Sequence, residues 1–302
     1  MQVVKKSGIK QDFDAIKMKK AMAFAINGLD VVQAELEDKT SFIFKDGVST
    51  TTIQKNLINN ALSLTSLEKP DWRYVAGRLL MMDYVKNTKH KRKGVMYEDY
   101  AKQVHSQVKK GIYDIAILNY TDEQLTEAGT WIDGMRDFDF DYAGANMLIR
   151  RYLLKLELAQ ECFLTVALLL AWPESEENRM TYARKFYDVL SQRRISLATP
   201  LLSNLRKPNG NLSSCFIIKL SDDLDSIFNG VHNVAKISKN GGGVGVNLSK
   251  VRGSLSEIQG HPGASGGVIP WIKILNDTAV AVNQLGKRCI LPESYVTVRR
   301  EE

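Results

Sequence analysis

Three successive textures in the 302-residue sequence predict a mixed architecture: a small α+β module, then a helical domain, then an α/β segment. Residues 1–92 combine short β-prone runs with capped helical stretches. Residues 93–194 are rich in helix formers with apolar residues at 3.6 spacing and have almost no Gly-Pro punctuation between Leu148 and Trp172. From Ile195 the runs ISLATPLL, CFIIKL and VGVNLS alternate with glycine-rich turns and the helical segments DDLDSIFNGVHNVAKIS and GGVIPWIKILNDTAVAVNQ. The tail 289–302, CILPESYVTVRREE, shares none of these textures.

Each element has a local reason. Two β-prone runs flank Ser7-Gly8, a turn signal, and predict a hairpin over residues 3–13; Asp14 can cap the helix that follows, which should stop at Asn27-Gly28. The Ser/Thr cluster in KDGVSTT (45–51) can cap a second helix ending near Leu64. Trp72, Val75, Ala76 and Leu79 then fall at helical spacing in a helix over 69–86, with Pro70 in its first turn. The stretch FLTVALLLAW (163–172) is bounded by Glu161 and Pro173, so it is too short to span a bilayer and predicts a buried helix. ARKFYDVLSQ (183–192) is amphipathic at the helical period.

Composition excludes several function classes. The chain is 44% hydrophobic and 25% charged, as in ordinary globular proteins, and the N-terminus lacks the apolar core of a signal peptide. The net charge of +7 suits an anionic ligand but is dispersed, apart from KNTKHKRK (86–93), which fits a solvated helix end better than a nucleic-acid patch. Cys162, Cys215 and Cys289 are too few and too widely spaced for a disulfide framework or a cysteine zinc site, which points to a reducing, cytoplasmic setting. The four histidines, 90, 105, 232 and 261, have no ligand spacing, so neither a metal site nor a Ser/His/Asp triad is expected.

The residues with chemical promise are few. KNGGGVGVNLSKVRG (239–253) resembles a phosphate loop but has Leu248 where a dinucleotide fingerprint needs its third glycine, and no GxxxxGK[ST] occurs. What it offers is bare backbone that a flat ligand can approach, with Lys239, Lys250 and Arg252 available for phosphate; the ordinary reading is a tight turn. Cys215 opens an apolar strand, where a cysteine is usually a small buried hydrophobe, and the same holds for Cys162 inside an apolar helix. Asp222, Asp223 and Asp225 precede a helix, and their ordinary role is capping. Taken alone, these features support a nucleotide-sized anionic ligand and no more.

The combination is more specific. ISLATPLLSNLR, NLSSCFI, DDLDSI, GGGVGVNLSKVRG and VNQLGKR, in this order and spacing, resemble the large catalytic subunit of class I ribonucleotide reductase, aerobic type. VVKKSG, KDGVSTTTI and PDWRYVAGRLLMMDYVK resemble the ATP-cone, the family's activity-regulating module, so the resemblance covers residues 1–288. It implies an ATP-cone at 1–92, a helical domain at 93–194, and at 195–288 the first, incomplete part of a ten-stranded α/β barrel with the specificity site.

The resemblance also implies roles. Cys215 is one of two redox-active cysteines whose oxidation to a disulfide supplies the electrons for replacing the ribose 2'-hydroxyl by hydrogen. Thr199, Ser214, Gly242, Gly243, Gln284 and Arg288 bind substrate. Asp222 hydrogen-bonds the deoxyribose of a dNTP specificity effector and Arg252 lies near its phosphates. Lys5, Lys6, Lys17, Thr50 and Lys86 hold ATP or dATP in the cone. Expected partners are a radical-generating small subunit with its own di-metal cofactor, thioredoxin or glutaredoxin, and a second large subunit; no metal is expected in this chain, and no membrane or nucleic acid. Family members continue for several hundred residues, through the radical cysteine and the second redox cysteine. The expectation is therefore the N-terminal piece of a split or interrupted ribonucleoside-diphosphate reductase, active only with a complementing C-terminal part; the alternative is a nucleotide-sensing regulator without catalysis. Cys289 with Glu293, Ser294 and Val296 resembles the start of an intein, and an accidental extension after gene interruption remains the other reading of the tail.

Overall fold

The computed structural model describes residues 2–40, 46–92, 97–282 and 296–297. The chain divides into two compact units, Met1–Ala198 with Leu202–Asn209, and Thr199–Leu201 with Gly210–Glu302.

The first unit opens with the expected hairpin: Gln2–Val4 (β1) pairs antiparallel with Lys10–Asp12 (β2) across a turn closed by the Gly8 N–H donating to the Lys5 carbonyl at 2.9 Å. Asp14 caps Ala15–Ile26 (α1) by accepting from the Ile16 and Lys17 N–H groups. After Gln33–Thr40 (α2), the short strand Val48–Ser49 (β3) joins β1 in parallel, an addition that the hairpin pattern did not announce. Ser49 caps Thr50–Leu64 (α3), again as the Ser/Thr cluster predicts.

Trp72–Lys91 (α4) carries the expected periodicity but runs further than residue 86, so the basic KNTKHK stretch is a helix end with Lys89, His90 and Lys91 in its last turn. Trp72, Val75, Ala76 and Leu79 bury against Met22, Leu36, Leu57 and Ala61, whereas Met81 belongs to the core of the helical layer. Gly77 marks the crossing: a Cβ there would overlap the Phe140 carbonyl and come within 2.9 Å of the Asp141 oxygen. The Arg78 guanidinium fastens the same crossing, donating to the carbonyls of Ala25 and Asn27 at the end of α1 and to that of Phe138.

The helical layer follows as Tyr100–Lys109 (α5), Asp122–Gly129 (α6), Tyr142–Met147 (α7), a π-helical turn at Leu148–Tyr152, Ala159–Ala171 (α8) and Glu176–Ser191 (α9). The FLTVALLLAW stretch lies in α8, which is buried on nearly all sides, as a helix apolar all round must be. No helix among the described residues is long and apolar enough to cross a membrane.

Two carboxylates intrude on this apolar centre. Glu157, just ahead of α8, accepts from Arg206 Nε at 2.5 Å and Nη2 at 2.7 Å, from the Tyr113 hydroxyl and from the Leu154 N–H. Glu161, one turn on, accepts from Arg92 Nη1 and Nη2 and from the Leu158 N–H. All four charged side chains are buried. Burial pushes the Glu161 carboxyl up against the pull of Arg92; burial also works against the Arg206 charge, but the attractions of Cys162 and Glu157 outweigh it and raise the guanidinium further.

The second unit has the expected βαβ form. Cys215–Lys219 (β4), Leu224–Lys239 (α11) and Gly243–Asn247 (β5) make a parallel crossover; Ile269–Ala281 (α12) packs on α11, and Val296–Thr297 (β6) pairs parallel to β5. The core lies under one face of the sheet, around Leu220, Ile227, Val234, Val246, Leu248 and Leu275. One element departs from expectation. ISLATPLL was expected to form a β-run, but Thr199–Asn204 is a helix (α10). Pro200 has no N–H for a strand ladder and loses nothing in the first turn of a helix. Residues 202–209 also pack with the first unit, held by Arg206.

Two stability predictions follow from the buried polar groups. Arg206→Met strands the Glu157 carboxylate and should cost about 3–5 kcal/mol in urea unfolding, most of it recovered in the double variant Glu157→Leu/Arg206→Met. Asp137 is buried beside the Tyr97 hydroxyl and Gln160, and burial pushes its carboxyl up to about 7 against those hydrogen bonds. Its folded form keeps a proton that the unfolded form loses near pH ~4. The stability it contributes is therefore complete below ~4 and falls by up to about 1.4 kcal/mol per pH unit as pH rises to about 7. Asp137→Asn should remove that slope, read as a gain over wild type that grows from pH 5 to pH 8 in thermal melts; parallel curves would refute the assignment.

Candidate functional site

The acidic turn and the thiol lie at opposite ends of β4. At the C-terminal end the three aspartates divide their labour. Asp223 caps α11, accepting from the Ser226 N–H at 2.7 Å, and the Ser226 hydroxyl accepts from the Ser221 N–H, which fixes the turn. Asp222 is thereby left out of capping and engages Arg252: its Oδ2 is 2.6 Å from the guanidinium Nε and its Oδ1 accepts from the Arg252 N–H at 3.2 Å. Arg252 also donates to the Glu257 carbonyl. Both partners are about a third exposed, so an anionic ligand can reach the guanidinium and a hydroxyl can reach the carboxylate.

At the other end, the four steps of a five-residue strand and so about 13 Å away at ~3.3 Å per step, Cys215 begins the strand with an exposed, free thiol. Ser214 Oγ lies 3.4 Å from the sulfur, and the Ser214 carbonyl accepts from the Gly243 N–H at 2.6 Å. The register pairs Cys215 with Gly243 and Ile217 with Gly245. Strand alternation puts these four on one face, so the thiol borders a strip with no side chains. Ile217 on that face is 88% exposed. The geometry brings Ser214, Cys215, Gly242 and Gly243 together, and Thr199 opens α10 in the same compact unit. Gln284, Arg288 and Cys289 lie outside the described residues. Cys162, by contrast, is fully buried and its thiol is pushed up to about 12 by that burial. No cluster of potential metal ligands occurs among the described residues.

A second cluster forms at the N-terminal module. Pairing of Val4 with Ser49 places Lys5 and Thr50 at the next positions of adjoining segments, at the N-terminus of α3. Lys6 reaches across to α4, to Asn87 Oδ1 at 2.5 Å and Asp83 at 3.4 Å, in the turn that carries Lys86. Lys17 is exposed and pairs with Asp14 at 3.5 Å. A helix N-terminus with lysines nearby is an arrangement that suits an anion. Asp83 and Asn87, which hold Lys6, are site neighbours that the family pattern did not single out; their helical offset of four was the available signal.

An N-terminal α+β module with lysines near a helix N-terminus, an all-helical layer and a parallel sheet with an exposed thiol at one end make up the described chain. Comparison with known proteins makes this specific. Residues 1–87 match the ATP cone domain, 138–210 the all-alpha domain of ribonucleotide reductase and 213–290 its barrel domain. The chain is 49% identical over 288 residues to the ribonucleoside-diphosphate reductase subunit alpha of Synechocystis sp., which aligns 95% of this chain with 37% of that protein. It is 40% identical to the Treponema pallidum counterpart over 77% of the chain and 28% of that protein, and 31% identical to the Escherichia coli reductase 1 subunit alpha over 95% and 38%. The chain belongs to the class I ribonucleotide reductase large-subunit family, as its N-terminal region with the ATP-cone, the helical domain and the start of the barrel. It spans a little over a third of the length of the Synechocystis and Escherichia coli relatives.

The two described thiols should differ sharply in chemistry. With iodoacetamide at pH 8, Cys215 should alkylate at least about a hundredfold faster than Cys162, whose thiolate is scarce and shielded, as read by peptide mass spectrometry.

Proposed function

We propose that the chain supplies the regulatory cone (1–92), the helical domain (93–194) and the first barrel strands (195–288) of a ribonucleoside-diphosphate reductase, with 289–302 outside the family pattern. The observation that carries this reading is the exposed Cys215 beside the side-chain-free Gly243, with the Asp222–Arg252 pair at the far end of the same strand. A ribose can lie against the glycine backbone with its 2' carbon facing the sulfur. In the overall reaction the 2' C–O bond breaks and a C–H bond forms; the hydroxyl leaves as water, and two thiols become one disulfide, giving up two electrons and two protons. Cys215 is one of those thiols and protonates the departing hydroxyl. The other redox thiol and the radical cysteine belong to the remainder of the barrel. Ser214, Thr199, Gly242 and Gly243 seat the nucleoside, with Gln284 and Arg288 contributing from the specificity loop.

The Asp222–Arg252 pair is the dNTP specificity site: Asp222 accepts from the effector's deoxyribose hydroxyl, and Arg252 faces its phosphates. In the cone, Lys5, Lys6, Lys17, Lys86 and the Thr50 end of α3 hold the triphosphate of ATP or dATP. The activity calls for the rest of the barrel, a second large subunit, a small subunit with a di-metal radical cofactor, and thioredoxin or glutaredoxin to reduce the disulfide, all in the cytoplasm.

Two measurements test this. Cys215→Ser, assayed with the remainder of the barrel, the small subunit and thioredoxin, should abolish multiple turnover while dNTP binding stays near wild type; unchanged turnover would refute the redox role and leave Cys215 an ordinary strand residue. Calorimetry should show Lys5→Ala/Lys86→Ala weakening ATP binding by well over about tenfold if both lysines hold the triphosphate as proposed, since each charge-assisted contact contributes roughly 1.5–3 kcal/mol. Asp222→Ala should leave that binding intact and weaken dNTP binding instead.

A further inference from the structure

The end of α11 is tied off in an unusual way. The Gly241 N–H donates to the Ser238 carbonyl and the Gly242 N–H to the Ile237 carbonyl, both at 3.0 Å, and Gly241 has φ +75°. This is the double hydrogen-bond signature of a Schellman C-cap, with Asn240 as the C-cap residue. Such caps are ordinarily sealed by an apolar side chain two positions past the C-cap, packed back on the residue three from the helix end. Here that position is Gly242, which has none.

The seal comes from the neighbouring strand. A Cβ built on Gly242 would lie 2.6 Å from Ile237 Cγ2 and 2.8 Å from Phe216 Cε2, so the Phe216 ring and the Ile237 methyl already fill the space. Phe216 follows Cys215, and alternation along β4 turns its ring toward α11 while the thiol faces the opposite side. Beside the ring, the Gly243 N–H bonds the Ser214 carbonyl. The helix end, the glycine strand and the thiol strand therefore meet on one aromatic ring.

We propose that Phe216 is a positioning residue for Cys215: its ring replaces the missing side chain of the α11 cap, and thereby sets where the thiol stands relative to the Gly242–Gly243 backbone. The inference deepens the redox reading of Cys215 and rests on it for its catalytic meaning, although the geometry stands without it. It also gives Gly242 a packing reason to be glycine that is separate from room for substrate.

The full chain serves for the test, through the rate and pH profile of iodoacetamide alkylation at Cys215, resolved by peptide mass spectrometry with Cys162 as the measure of folding in the first unit and amide hydrogen exchange across α11 as the measure in the second. Phe216→Tyr, which keeps the ring, should match wild type. Phe216→Ala should change the Cys215 rate by about threefold or more or move its pH midpoint, while Cys162 stays slow. Gly242→Ala should perturb Cys215 strongly in the wild-type background and much less with Phe216→Ala, because Ile237 can then give way into the space the ring vacates and the methyl no longer presses on β4. A Phe216→Ala variant with slow Cys162 and wild-type Cys215 kinetics would overturn the proposal, as would equal effects of Gly242→Ala in both backgrounds. If Phe216→Ala exposes Cys162, Phe216→Leu supplies the same comparison with the core retained. The redox reading fails separately: Cys215→Ser with undiminished turnover would remove the catalytic role and leave the positioning result untouched.

Discussion

The first compact unit depends on two carboxylates one turn apart at the start of α8. Glu157 and Glu161 sit in the least polar part of the molecule, where an ion is tolerated only if every lone pair is engaged. Arg206 answers the first and Arg92 the second. Those arginines come from the end of α4 and from the segment that leads into the barrel strands, so satisfying the buried charges also fixes where both arrive. Arg92 and Gln103 converge on the Leu156 carbonyl, and Tyr84 of α4 donates to the Glu157 carbonyl. A core of leucines alone would tolerate small shifts of these segments, whereas bidentate ion pairs have one geometry.

Local signals were legible in the sequence because their causes are local. Asp14, Ser49 and Asp223 cap the helices that their spacing predicts, the α8 stretch is buried as its uniform apolarity requires, and CFIIKL and VGVNLS are strands. The failures have physical causes as well. ISLATPLL has the composition of a strand, but Pro200 decides for a helix turn. The Glu157–Arg206 pair spans 49 residues and the Arg92–Glu161 pair 69, and no periodicity encodes a partner at such range.

At the candidate site, sequence reasoning placed Cys215 and Asp222 close together, and so they are along the chain. What the strand adds is direction. One end of β4 presents the thiol and the other the acidic turn, so seven positions of sequence become opposite ends of one strand. Composition could not choose between Asp222 and Asp223 for capping; the Ser221–Ser226 hydrogen bond settles it by orienting the turn.

The sharing of α4 between two cores has a mechanical meaning. Trp72 to Leu79 lie in one core and Met81 in the other, with Gly77 and Arg78 pressed on the 138–141 segment between them. Such a helix cannot tilt or unwind for one core without loosening the other. The N-terminal module is thus welded to the helical layer rather than hung from it, and any strain set up in the module enters the layer along a single rigid rod instead of being lost in a swivel.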